Sequence, residues 1–272
     1  MEQRKISFIG SGNMARSIFA GMLSSGYKAG NITATGRDED KLKHLADCYG
    51  IHTTTDNVAA VEQAEVVILS VKPQMMADVC ADFQGLDLSN KLIISIAAGI
   101  SAKRLNEMLG QTIQLVRVMP NTPSLVGKGM SGLFATDNVS EEDKDFAGDL
   151  MSAVGEICWV DEESGINNII AAAGSAPAYF FLFMEAMQQE AMAQGFNRDT
   201  ARLLIQQAAL GAAEMVVANP ELDLSTLREQ VTSKGGTTAE ALKTFNQHNL
   251  SDIVSKAMQA AVNRAEEMEK LI

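Results

Sequence analysis

Apolar positions along the 272 residues follow two different rhythms. Over the first ~160 residues, short apolar runs alternate with amphipathic segments, the pattern of strand–helix–strand units with parallel strands. Strands are predicted at "KISFIG", "NITATG", "GIHTT", "AEVVILSV", "KLIISIAAG", "IQLVRVMP", "GMSGLFA" and "EICWV". Several are apolar at nearly every position, as strands covered on both faces require. After "WVDEES" strand-like alternation ends, and Ala, Met, Leu and Gln recur at helical spacing. One long helix is predicted over "NNIIAAAGSAPAYFFLFMEAMQQEAMAQGF" and a second over "RDTARLLIQQAALGAAEMVVA". Further helices follow at "TTAEALKTFNQHN" and "LSDIVSKAMQAAVNRAEEMEK". The change falls near Asp161–Ser164, which predicts an α/β domain over residues 1–162 and an all-helical domain over 163–272. A helical half that is apolar on nearly every face must be covered, and about 110 residues enclose little interior. Burial against a second copy of the chain is therefore expected.

Composition narrows the partners. Apolar residues make up 46% of the chain, enough for a packed core. The net charge of −12 argues against nucleic acid and against anionic lipid, both of which need a basic face. No uninterrupted apolar run approaches ~18 residues, so no membrane span is expected. "MEQRKISFIG" runs straight into a strand, unlike a secretory signal. Cys48, Cys80 and Cys158 are odd in number, match no metal pattern and suit a reducing compartment. A soluble cytoplasmic protein without a metal is expected.

Candidate chemistry begins at the first joint. "FIGSGNMA" places Gly10, Ser11, Gly12, Asn13, Met14 and Ala15 between a strand and a helix, the G-x-G-x-x-G/A fingerprint of Rossmann-type dinucleotide sites. A helix start supplies free N–H groups and partial positive charge for a pyrophosphate. The second strand ends in Thr35, Gly36 and Arg37, with no carboxylate where an NAD ribose would be held. Arg37 suits a 2′-phosphate, which favours NADPH. The alternatives are a solvated Arg37 with Asp38 capping the next helix, or Asp38 on a ribose, which restores NADH. Ser70, Val71, Lys72 and Pro73 end one later strand, and Ala97, Ala98 and Gly99 another. Both ends point at the same crevice.

In the helical half, "VTSKGGTTAEAL" interrupts helix-forming text with a Gly pair between hydroxyls. Amides of Gly235 and Gly236, with the hydroxyls of Ser233, Thr237 and Thr238, would make an anion site at a helix start. The bland alternative is an interrupted helix with a Ser/Thr cap. His44, His52 and His248 stand in no motif facing a nicotinamide.

Taken in order, "FIGSGNMA", "VKPQ", "SIAAGI", "RVMPNTP", "GSAPAYFF" and "VTSKGGTTAEAL" resemble the Δ1-pyrroline-5-carboxylate reductase family over essentially the whole chain. The resemblance implies a Rossmann domain followed by a helical dimerisation domain, assembled as an interlocked homodimer or a ring of dimers. It implies reduction of 1-pyrroline-5-carboxylate to L-proline, the last step of proline biosynthesis, with NADPH preferred and NADH as the alternative. Cofactor contacts would be Gly10–Met14, Thr35–Arg37, Asn57, Ser70–Pro73 and Ala97–Gly99. Substrate contacts would be Glu163, Ser233, Gly235, Gly236, Thr237 and Thr238, with Thr238 on the ring nitrogen. Gln230 and Lys234 depart from the family's Asn and Pro. Competing readings are another imine or β-hydroxyacid oxidoreductase of the same architecture, and a non-catalytic NADP-binding module.

Overall fold

The computed structural model describes residues 2–271. Its strands are β1 (Ile6–Ile9), β2 (Ile32–Thr35), β3 (His52–Thr54), β4 (Val66–Leu69), β5 (Leu92–Ser95), β6 (Gln114–Met119), β7 (Gly129–Ala135) and β8 (Gly155–Trp159). Between them run α1 (Asn13–Ser24), α2 (Glu39–Tyr49), α3 (Asn57–Gln63), α4 (Met76–Ala81), α5 (Ala102–Leu109) and α6 (Glu141–Ser152). The helical half holds α7 (Gly165–Ile169), α8 (Ala176–Ala193), α9 (Arg198–Ala218), α10 (Leu224–Gln230), α11 (Thr237–Gln247) and α12 (Leu250–Leu271). Two compact units result, Met1–Ser175 with Ala261–Ile272, and Ala176–Ala260.

All eight expected strands form, in one sheet ordered β3-β2-β1-β4-β5-β6-β7-β8. Period-two alternation sends Ile6, Phe8, Val66, Ile68, Leu92 and Ile94 to one face, against α1 and α6. Their neighbours Ile9, Val67, Leu69 and Ile93 go to the other, against α3, α4 and α5. Each such side chain contributes roughly 1.5–3 kcal/mol of burial. On the first face, Phe19 lies edge-on to Phe8 at 5.5 Å and to Tyr49 at 5.2 Å.

Two sequence expectations need correction. The pattern predicted parallel strands, yet β7 runs antiparallel to β6. Residues 120–128 join them through a 3-10 turn at Thr122–Val126, too short for the crossover helix that a parallel pair needs. The long helix predicted from Asn167 is also broken. A π-helical turn at Ile170–Gly174 separates α7 from α8, closed by the Ser175 N–H to the Ile170 carbonyl at 2.8 Å. Pro177 has no N–H for the carbonyl four residues back, that of Ala173. The side-chain amide of Asn121 donates to that carbonyl instead, at 3.1 Å.

The unit Ala176–Ala260 wears its apolar residues outside. Helix α8 buries none of its residues; Phe181 is 62% exposed, Leu182 67% and Leu203, on α9, 58%. Within the unit, Phe183 and Phe245 pack ring to ring at 5.8 Å. The segments Gly165–Ala193 and Arg198–Ala218 are long and apolar enough to cross a membrane by length and composition alone. Neither run is uninterrupted, since polar residues break each of them.

Candidate active site

The sheet reverses its winding between β1 and β4, and the carboxyl ends of those two strands are where a fold of this kind takes its ligand. Gly10 follows β1 with φ +105°, a conformation L side chains rarely adopt. A Cβ there would sit 3.0 Å from the Ser70 carbonyl oxygen. The Ser70 hydroxyl pins the turn, donating to the carbonyls of Ile9 (3.0 Å) and Gly10 (2.8 Å). Gly12 caps α1 with ordinary extended angles, and its side chain position meets nothing within 4 Å. No side chain caps α1, so its first N–H groups face open space. A diphosphate fits such a place.

Around this turn the expected contacts divide. Thr35 is fully buried and its hydroxyl oxygen accepts the Gly10 N–H at 3.1 Å. Its side chain thereby helps to fix the glycine turn. Arg37 is exposed, and among the described residues it has no hydrogen-bond or ion-pair partner. Asp38 is committed elsewhere: its carboxylate accepts the Lys41 N–H at 3.1 Å and caps α2. That bond, with the Lys41 ammonium at 3.3 Å, holds Asp38 below the usual carboxylate range. Of the alternatives left open, the capping Asp38 is the one present, and Arg37 is exposed at the end of β2. Asn57 begins α3, Lys72 is exposed ahead of the 3-10 turn at Pro73–Met75, and Ala97 is buried. Gly99 lies under the last turns of α12, where a Cβ would come 3.0 Å from the Met268 Cβ.

Glu163 gathers a second cluster beside α5. Its Oε1 accepts the Ala102 N–H at 2.6 Å and a guanidinium N–H of Arg117 at 2.6 Å. Arg117 is 2% exposed inside β6 and also donates to Glu269 at 3.3 Å. The expected substrate contact is thus anchored just past the Ala97–Gly99 strand end. Arg117, Asn121 and Glu269 were not singled out from the sequence. A lone arginine in the apolar run "IQLVRVMP" was the available signal for the first, since a buried charge needs partners.

The Ser233–Thr238 turn belongs to the other unit. Gly235 has φ +72°, which explains one glycine by backbone conformation alone. The Gly236 N–H donates to the Ser233 carbonyl at 3.0 Å and so closes the turn. Gly236 caps α11 without a side-chain bond, and among the described residues Thr237, Thr238 and Ala239 have no acceptor for their N–H groups. The donors are therefore the first amides of α11, flanked by the Thr237 and Thr238 hydroxyls. No group of three or more His, Cys, Asp or Glu suited to a metal occurs among the described residues.

An open, mostly parallel sheet with a glycine turn entering an uncapped helix at its reversal defines a Rossmann-type dinucleotide-binding protein. Comparison with known proteins agrees. Residues 5–99 match a family described as NADP oxidoreductase, coenzyme F420-dependent, and residues 163–268 match pyrroline-5-carboxylate reductase dimerisation. The pyrroline-5-carboxylate reductase of Vibrio alginolyticus is 68% identical over 100% of both chains. That of Escherichia coli K12 is 33% identical, covering 98% of this chain and 99% of its own. The solved Coxiella burnetii reductase superposes with a TM-score of 0.92 at 43% identity, covering 98% of this chain and 99% of that one. The Plasmodium falciparum enzyme, solved with NADP bound, gives 0.87 at 28% identity, covering 99% of each. The chain belongs to the pyrroline-5-carboxylate reductase family.

Proposed function

We propose that this protein reduces 1-pyrroline-5-carboxylate to L-proline with NADPH, the closing step of proline biosynthesis. The observation that carries this reading is the end-to-end identity of 68% with a named reductase. The uncapped starts of α1 and α11 fit the two anions that the reaction brings together, a dinucleotide diphosphate and an amino-acid carboxylate.

When bound, NADPH supplies the hydride to the C=N carbon. Around that event the chain's own residues hold and orient. Gly12 lets the backbone at the start of α1 approach the diphosphate, while Arg37 takes the 2′-phosphate. The first amides of α11 grip the substrate carboxylate. The Thr238 hydroxyl bonds the ring nitrogen, and the free edge of Glu163 favours the protonated imine. Positioning of this kind supplies a large part of a rate when no side chain forms a covalent bond.

The remaining features of the reading are a functional division at residue 163, a homodimer extended to a ring of dimers, and a cytoplasmic location. The exposed apolar faces of α8 and α9 support the dimer, because surfaces of this kind need a partner. The charge of −12 supports the absence of nucleic-acid and anionic-membrane partners. Purified protein given the imine and NADPH should oxidise the cofactor in proportion to imine and yield proline. Cofactor oxidation that ignores the imine would overturn the reading.

A further inference from the structure

Arg117 occupies a costly position. It lies in β6 between Val116 and Val118, both buried, in register with Ser95 of β5 and Phe134 of β7. An apolar residue would pack at least as well, since desolvating a guanidinium offsets much of what its ion pairs return. Its partners come from two distant stretches. One NH group serves both Glu163 Oε1 at 2.6 Å and Glu269 Oε1 at 3.3 Å. Glu269 Oε2 in turn accepts from the Asn167 side-chain amide at 3.2 Å, and Asn167 is 5% exposed, on α7. The second NH₂ of Arg117 is buried and has no partner among the described residues.

Glu163 is held asymmetrically as a result. Its Oε1 receives two short bonds, from Arg117 and from the Ala102 N–H at the start of α5. Among the described residues no bond engages Oε2, and the side chain is 30% exposed. One oxygen is clamped within the fold while the other is left without a bond among the described residues. A carboxylate fixed this way keeps its direction, and a bonded network holds it better than any single contact would.

We propose that Arg117 and Glu269 are positioning residues for Glu163, the last turn of α12 thereby helping to set the binding of the imine. The inference rests on the reading of Glu163 as a substrate contact. Glu269 bonds the same guanidinium nitrogen that Glu163 does, and the Asn167 side-chain amide donates to Glu269. Without Glu269, Arg117 follows Glu163 rather than restraining it. The device acts on the substrate through Glu163 alone and has no path to the cofactor's 2′-phosphate.

The test is a double-mutant cycle in the full-length protein, read as KM for imine and for NADPH with kcat. Glu269→Gln should raise KM for the imine on the order of fivefold to tenfold while leaving KM for NADPH within about twofold. In a Glu163→Gln background, Glu269→Gln should have no further effect, because its target is gone. Arg117→Lys should retain part of the imine affinity that Arg117→Met loses. If both Arg117 variants fail to fold, the Glu269 cycle decides, since that carboxylate is partly exposed. Equal multiplication of KM by Glu269→Gln in both backgrounds would reduce the network to a structural brace and overturn the proposal. So would an unchanged imine KM in Glu269→Gln when Glu163→Gln raises it. If Glu163→Gln itself leaves imine binding intact, the reading of Glu163 fails first and the proposal falls with it.

Discussion

Gly12 separates a requirement of the ligand from one of the fold. Its angles suit any residue and its missing side chain would meet nothing within 4 Å. Gly12→Ala should therefore change fold stability by less than about 1 kcal/mol, the lost unfolded-state freedom being offset by a poorer N-cap for α1. The same change should weaken NADPH binding about tenfold or more, because the diphosphate needs the bare backbone. Calorimetry beside a binding titration checks both halves, and a variant that binds normally would refute the assignment. At Arg37 the expected signature is selectivity. Arg37→Ala should raise KM for NADPH by about 10–100-fold and spare NADH, as loss of a charge-assisted phosphate contact requires. An unchanged NADPH/NADH ratio would exclude 2′-phosphate recognition. Cysteine reactivity divides by burial. Cys80 is buried in the α3–α5 face, where desolvation pushes its thiol up to about 11, while Cys48 is exposed. Alkylation of the native protein near pH 8 should label Cys48 and spare Cys80, as peptide mass spectrometry would show. A raised thiol stabilises the fold below its unfolded value of 9.0, and that stability is lost as pH climbs toward 11.

The elements differ in how openly the sequence declared them. The central strands β1, β4 and β5 could be read from apolar runs because both faces of the sheet are covered there and every position is buried. The direction of β7 could not, since it is set by the short link at 120–128 and not by composition. The break before α8 was hidden for a related reason. Its cause lies in Pro177 and in Asn121, two residues that only the fold relates to the Ala173 carbonyl. The start of α11 was found by its unusual text, while the bond that the Gly236 amide makes to Ser233 could not be read there. Gly235 makes the turn and the Gly236 amide closes it, leaving Thr237, Thr238 and Ala239 as donors. The Arg117–Glu163–Glu269 group was read only at Glu163, because its members are scattered along the chain. For α11 the expected result is that Thr238→Ala lowers kcat/KM for the imine about 10–100-fold, the loss of one bond to a charged group. The helix itself should remain, since Gly236 and not Thr238 is its cap. Circular dichroism with steady-state kinetics tests this, and full activity in Thr238→Ala would remove that contact from the account.

For the molecule as a whole, the balance of covered and uncovered surface points to assembly. A chain of net charge −12 has little reason to aggregate, yet α8 buries none of its own residues. Light scattering at micromolar concentration should find at least a dimer, and Leu203→Glu, on the exposed face of α9, should shift the population toward monomer. A wild-type protein that stays monomeric would contradict the reading of those faces. The same two-part plan, a dinucleotide sheet followed by an apolar helical half, leads to one reaction at the level of atoms. Deuterium placed on the transferable position of the NADPH ring should appear once per molecule at C5 of the proline formed, as mass spectrometry and NMR would show. Proline that forms without that label, or a label lost to water, would contradict direct hydride transfer to the imine.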